Sequence, residues 1–304
     1  MTSAASAAEK TTVVLGTATP GGGFPVYGEA FAKTINEQDP TLDVQPKNTK
    51  GSAENIPLLE AGQLDIALVQ GESAQQAFSG TSRPPAKLLV LAAMYATPGL
   101  FVVRADQSYQ TIEDLRGKRI AFGAKGSGLV VLARAVLDGL GLDMNTDFKA
   151  VPLDKAGDGP AMVLSGEVAA LWGGGLGWPG FTAVAKAPAG ARFIVPDAEG
   201  LDRIQAKYPF LKRLTLPANS YPGQTAPIDS VGSWSLILVR PDLPGDVAYR
   251  LAKALHKGQA ALAERLPQAR ATTAANTVAA SPGVGMIHPG VVRYLREIKL
   301  LPAP

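Results

Sequence analysis

Cysteine is absent from this 304-residue chain. Its absence excludes a disulfide frame, a thiol nucleophile, cysteine-ligated zinc and an iron–sulfur cluster. It leaves the compartment open, since chains on either side of a bacterial inner membrane can do without cysteine. Histidine is scarce as well. His256 and His288 are the whole supply, so no metal site is expected, and no cofactor is called for. Charged residues make up only 18%, and the net charge of +3 is not concentrated in any basic run. Nucleic-acid binding through phosphate neutralisation therefore has little support. Nor is there an apolar run of the roughly 20 residues a spanning helix needs. The most apolar stretch, Leu88 to Val103, is expected to break at Thr97-Pro98-Gly99. Met1 to Lys10 (MTSAASAAEK) lacks the apolar segment of a signal peptide, but its small residues suit the surroundings of a cleavage site. A processed or trimmed export substrate is expected, with a native cytosolic start as the alternative.

What the chain does have is enough apolar residues, 46%, to bury a real core. Its length suits two domains or one large one. Short β-rich runs alternate with helical patterns, which predicts an α/β architecture. Thr12 to Leu15, Leu42 to Pro46, Asp65 to Gln70, Leu88 to Met94, Lys118 to Phe122, Val168 to Trp172 and Val231 to Val239 read as strands. Helices are expected around Tyr27, Phe31 and Ile35, then after Ser52 as N-cap, and over Leu129 to Leu140. The Pro- and Gly-rich segment Tyr208 to Asp229 reads as a crossover or surface loop, and the chain from Leu243 onward as largely helical. The blocks starting at Thr12 and Lys118 share the order strand, Gly-rich turn, helix, strand, so two similar lobes are expected.

The strand-to-helix junctions carry the functional signal. They are Gly- and hydroxyl-rich: Gly16 to Gly23 (GTATPGGG), Lys50-Gly51-Ser52, Gln70-Gly71-Glu72-Ser73, Lys125-Gly126-Ser127-Gly128 and Gly173 to Gly180 (GGGLGWPG). In open α/β sheets such turns lie beyond the strand carboxyl ends, where ligands bind. Each also opens a helix whose unpaired N–H groups favour an anion. One such turn is more often only a turn; several facing one crevice point to a site for a small anionic ligand. None is a phosphate loop of the form GxxxxGK[ST] or a GxGxxG. Lys50 and Lys125 precede Gly-Ser steps and would pair with a carboxylate if turned inward, exposed turn lysines being the alternative. Tyr27, Tyr95, Trp172 and Trp178 lie at or near the junctions and could wall a ligand, or simply pack in the core. Catalytic signals are poor: Ser127 lacks the GxSxG elbow, His288 reads as a cap or packing residue, and the acids form no paired pattern.

The stretches LGTATPGGGFPVYGEAFAKTIN, TKGSAENIPLLEAGQLDIALVQGESA and LRGKRIAFGAKGSGLVVLARAVLDGLGL resemble the TAXI family of solute receptors, the extracytoplasmic binding proteins of TRAP transporters. Tyr221-Pro222-Gly223-Gln224 and His288 to Tyr294 are similar to that family's closing motifs, so the likeness spans about Thr12 to Tyr294. It implies a type II periplasmic-binding-protein fold: two α/β lobes with a ligand cleft between them, lobe I being 1–102 with 228–304 and lobe II 103–227. It also implies a small organic acid as ligand (dicarboxylate, keto acid or glutamate-like), TRAP membrane permease subunits as partners, a periplasmic location and a monomer. By motif position the first ligand loop would use Thr17, Gly22, Gly23 and Tyr27, the second Gly51, Ser52 and Asn55, the third Gln70, and the loop from lobe II Gly126, Ser127 and Gly128. The chain departs from the family pattern at Lys50, Lys125, Gly71-Glu72 and Leu171 to Gly177. Two inward lysines would favour a dicarboxylate or keto acid, whereas Glu72 is the candidate partner for a ligand ammonium. Competing readings are an enzyme on the same fold, similar to a pyrimidine-precursor synthase and needing a histidine in the cleft, and a regulator's effector domain, which lacks a preceding basic helix-turn-helix segment.

Overall fold

The computed structural model describes residues 10–81 and 83–303, so the stretch expected to flank a cleavage site lies outside the described residues except for Lys10. The first half of the chain runs β1 (Thr11–Gly16), α1 (Gly23–Gln38), β2 (Leu42–Lys47), α2 (Ser52–Glu60), β3 (Ile66–Val69), α3 (Gly71–Ser79) and the long β4 (Leu89–Arg104). After it come β5 (Arg119–Ala124), α4 (Gly128–Gly139), β6 (Lys149–Leu153), α5 (Gly159–Ser165), β7 (Ala170–Gly174), α6 (Pro179–Lys186), β8 (Ala191–Ile194), α7 (Ala198–Lys207) and β9 (Lys212–Leu216). The chain then returns through β10 (Ile228–Val239) and ends in α8 (Gly245–Arg265), α9 (Ala274–Ala280) and α10 (Pro289–Glu297).

The strands follow the order β2-β1-β3-β10-β4-β7-β5-β6, with β8 on β4 and β9 on β10. Parallel pairs β1–β2 and β1–β3 build one half-sheet; β5–β6 and β5–β7 build the other. All four residues of β3 are buried, as expected of a parallel strand covered by helices on both faces. Helices pack on both faces of each half-sheet. In the first half, α1 and α8 bury Phe31, Ile35, Leu251 and Leu255 on one face, and α2 buries Ile56 and Leu59 on the other. In the second, α4 and α7 bury Leu132, Val136 and Ile204 on one face, and α6 buries Phe181 and Val184 on the other. The face of α1 is the one read from the sequence, Tyr27, Phe31 and Ile35 falling at helical spacing.

Two long strands join the halves. β4 pairs with β10 over residues 89–98, then with β7 over 99–102 and with β8 over 101–104. β10 pairs with β9 at its start and with β3 at its end. The expected break at Thr97-Pro98-Gly99 does not occur: β4 runs through it as one strand. Pro98 has no N–H to donate, and it sits where β4 changes partner from β10 to β7, while its carbonyl accepts from Gly175 N–H at 3.2 Å. Gly232 faces it on β10, where a Cβ would lie 1.9 Å from the Thr97 carbonyl oxygen. The segment 208–229 is likewise not all loop, since its KRLTL run forms β9 against β10. Ser52 is the first helical residue of α2, the cap being Gly51. Among the described residues no helix is long and apolar enough to cross a membrane.

Candidate functional site

The carboxyl ends of β1 and β3 in one half, and of β5 and β7 in the other, open into turns that face each other across the crossing strands. Positive-φ glycines make these turns possible: Gly21 (+83°) before α1, Gly51 (+109°) before α2, Gly126 (+84°) before α4, and Gly175 (+90°) before α6. Helices α1, α2 and α3 begin without a side-chain cap; in α2 the Gly126 carbonyl across the cleft takes the Ala53 N–H instead. In contrast, α4 is capped by Ser127, whose Oγ accepts from Leu129 N–H at 3.2 Å.

The two halves touch through main-chain atoms. Ala53 N–H donates to the Gly126 carbonyl at 3.1 Å, and Gly157 N–H to the Pro20 carbonyl at 3.2 Å. Ala156 N–H donates to Thr19 Oγ1 at 3.1 Å. The approach is tight: a Cβ on Gly21 would lie 2.4 Å from Gly157 Cα, and one on Gly128 would lie 2.2 Å from Gln70 Cβ. The cleft is therefore closed, and a cavity of about 50 Å³ remains between the halves.

Ten of the residues expected at the site line this cavity: Gly22, Gly23, Lys50, Gly51, Ser52, Gln70, Tyr95, Ser127, Gly128 and Trp178. Ser52 Oγ also accepts from Gln70 N–H at 3.0 Å, tying the second and third loops together. Burial, with Tyr27 and Tyr221 nearby, pushes the Tyr95 phenol well above its ordinary value, so its hydroxyl is a neutral hydrogen-bonding group. Trp178 is set by Tyr221, whose OH accepts from Trp178 N–H at 2.8 Å and donates to the Gly175 carbonyl at 2.6 Å.

Six expected residues do not line the cavity, each for a visible reason. Thr17 Oγ1 donates to the Lys47 carbonyl at 3.1 Å, joining the ends of β1 and β2. Tyr27 lies one layer back, its OH 3.1 Å from Thr272 Oγ1 and its ring edge-on to Tyr95. Asn55 is buried and spans β1 and β3, its Nδ2 donating to the carbonyls of Thr17 and Leu68, each at 2.8 Å. Trp172 packs edge-on against Phe101 in the second half's core and donates Nε1–H to the Leu129 carbonyl at 2.9 Å. Gly126 contributes its carbonyl to closure. Lys125 turns outward, 68% exposed, with Nζ 3.6 Å from Asp154.

The lining also includes residues the sequence reading passed over, chiefly Thr19, Phe24, Thr97, Leu129 and Ala156. Thr19 could have been found, since it belongs to the hydroxyl-rich first turn; Thr97 was hidden by the expected strand break; Ala156 has no local signal. Among the described residues Lys50 is the one cationic residue in the lining, and it is itself exposed; no acidic residue or histidine joins it. His288 caps α10, its Nδ1 accepting from Gly290 N–H at 3.1 Å, and burial lowers its proton affinity. His256 pairs with Tyr294 OH at 2.6 Å. With both outside the lining, the histidine-dependent enzyme reading loses its required group.

Solved structures similar to this fold are periplasmic and solute-binding proteins. A TctC solute binding protein from Polaromonas aligns with a TM-score of 0.53 at 18% identity, covering 97% of this chain and 99% of that one. The periplasmic binding protein BugD aligns at 0.57 and 13% identity, covering 86% and 87%. The substrate binding protein of an amino acid ABC transporter aligns at 0.51 and 13% identity, covering 85% and 98%. The fold is thus the two-lobed periplasmic-binding-protein fold. Residues 15–298 match the model of the family described as NMT1-like.

Proposed function

The chain belongs to the NMT1-like family, and on that premise we propose that it is an extracytoplasmic solute-binding protein, not an enzyme. It captures a small organic acid by closing its lobes, and delivers it to a membrane transporter of TRAP type. The observation that carries this reading is the cavity between the halves, onto which α1 and α3 open without a side-chain cap, beside the hydroxyls of Thr19, Ser52 and Thr97. Helix N-termini and hydroxyls suit a carboxylate, and Tyr95 and Trp178 wall the ligand's apolar part. Among the described residues the lining holds no carboxylate or imidazole, the groups most often used as general acid or base. The outward Lys125 leaves Lys50 as the side-chain charge for the ligand, which removes the argument for two inward lysines.

In this reading the lobes are 1–102 with 228–304, and 103–227; the receptor is a periplasmic monomer, and the ligand is a dicarboxylate, keto acid or glutamate-like acid. A thermal-shift screen of organic acids tests it. A true ligand at about 100 times its Kd stabilises the native state by about 2.7 kcal/mol, so a clear rise in Tm is expected for at least one acid. No rise across a broad panel of mono-, di- and keto acids would count against the ligand class.

A further inference from the structure

Directly behind Gln70 lies a cluster of buried polar atoms that closure alone does not explain. Glu72, in the first turn of α3, is fully buried. Among the described residues neither of its carboxyl oxygens, nor Gln70 Nε2, Ser73 Oγ or Ser233 Oγ, meets a partner in full hydrogen-bond geometry. The cluster sits where α3 abuts the crossing strand β10: a Cβ on Gly71 would meet Ser233 Oγ at 2.1 Å. Ser233 and Gln70 are the side chains that act on the carboxyl.

Among the described residues no counter-charge reaches it. Arg134, Asp138, Asp143 and Tyr208 share the groove wall beside Glu72, and Asp138 is already held by Lys207 at 2.8 Å. On α2, Glu54 accepts from Lys50 N–H and Glu60 pairs with Arg83; on β10, Asp229 bonds to Thr215. None of these charges moves the Glu72 carboxyl, which burial pushes up to about 7 against the pull of Ser233, its own backbone N–H and Gln70. An unpaired buried carboxylate is relieved by a proton.

Gln70 connects this carboxyl to the cavity it lines. Its Oε1 lies 3.4 Å from Ser235 Oγ, which is 3.2 Å from Thr97 Oγ1, another lining group. With its amide turned over from the arrangement seen, in which Oε1 faces Ser235 and Nε2 faces Glu72, Gln70 can accept from a protonated Glu72 at Oε1 and present Nε2–H on the Ser235–Thr97 side that borders the cavity. An ionised Glu72 draws Nε2–H to itself and removes that donor. We propose that Glu72 is the positioning residue of Gln70, and that carboxylate capture in the cleft is linked to a proton held on Glu72. The proposal rests on the organic-acid reading of the cleft. Above neutrality the proton comes from solvent, at most one per ligand bound.

The first test needs no ligand. Protein labelled with ¹³C at the glutamate carboxyls is titrated by NMR from about pH 5 to about pH 9. One resonance titrating near neutrality, and missing from Glu72→Gln, is expected; all glutamates titrating in the ordinary carboxylate range would overturn the proposal. The second test titrates succinate, 2-oxoglutarate and L-glutamate by calorimetry at about pH 8 in buffers of different ionisation enthalpy. Wild type is expected to take up roughly half to one proton per acid bound. Glu72→Gln and Gln70→Ala are expected to take up none, while Gln70→Ala keeps the near-neutral resonance. Binding without proton uptake in wild type overturns the linkage and leaves capture standing. Binding of none of the three acids counts against the organic-acid reading and the linkage together, whatever the NMR shows of Glu72.

Discussion

Lys50 and Lys125 stand in the same local setting, each followed by Gly-Ser, yet one lines the cleft and the other reaches out towards Asp154. Local sequence is blind to this difference, because it depends on which residues the opposite turn supplies. Lys125→Ala is therefore expected to leave ligand affinity unchanged, whereas Lys50→Ala weakens a carboxylate ligand severalfold by loss of a partly screened charge; calorimetric titration of the two variants checks both. Glu72 makes a second prediction. Its folded value of about 7 lies above the ordinary 4.5, so the folded state binds more protons between those values and loses stability as pH rises through them. The loss should reach about 3 kcal/mol. Glu72→Gln should remove it, as read from urea unfolding at a series of pH values; a wild-type stability that stays flat across that range contradicts it. The glycine-rich turns, by comparison, were legible, because positive φ is a local demand that the sequence answers with glycine.

At the level of elements, the parallel strands and their following helices were readable from apolar runs and helical spacing. Of the crossing strands, β10 was readable as Val231 to Val239 and the first part of β4 as Leu88 to Met94, but the run of β4 through Pro98 was not. Proline in the middle of an apolar run ordinarily ends a strand, and only the change of partner at Pro98 lets β4 continue. β9 was hidden for a similar reason: its KRLTL run is short and set among prolines and glycines, and eleven residues separate its end at Leu216 from the start of its pairing partner β10 at Ile228. Gly232 is the most demanding position at the crossing. Gly232→Ala forces a Cβ to within 1.9 Å of the Thr97 carbonyl oxygen, so a loss of about 1–3 kcal/mol is expected, measurable by chemical denaturation. A neutral result would mean that the two strands can part at the crossing without cost.

For the molecule as a whole, each half has its own buried clusters, and the halves are joined by two strands, by α3 lying against α4, and by a few hydrogen bonds across the cleft. Closure can thus be disturbed without unfolding either half. Gly21→Ala places a Cβ 2.4 Å from Gly157 Cα across the cleft. It also strains a backbone at φ +83°, at a cost of about 1 kcal/mol. The variant is expected to stay folded, to show a larger radius of gyration by small-angle X-ray scattering, and to bind its ligand more than about tenfold more weakly; an unchanged radius would show that closure tolerates the methyl group.

Of the six partners in the hydrogen bonds named across the cleft, five are peptide groups, the carbonyls of Gly126 and Pro20 and the N–H groups of Ala53, Ala156 and Gly157, and the sixth is Thr19 Oγ1. A peptide group is the same whatever side chain it carries. The mechanics of shutting are in this way kept apart from the chemistry of choosing. Under the solute-binding reading proposed above, wall side chains such as Phe24 and Tyr95 are then free to change with the solute while the main-chain contacts stay as they are, so selectivity can be re-engineered one wall at a time.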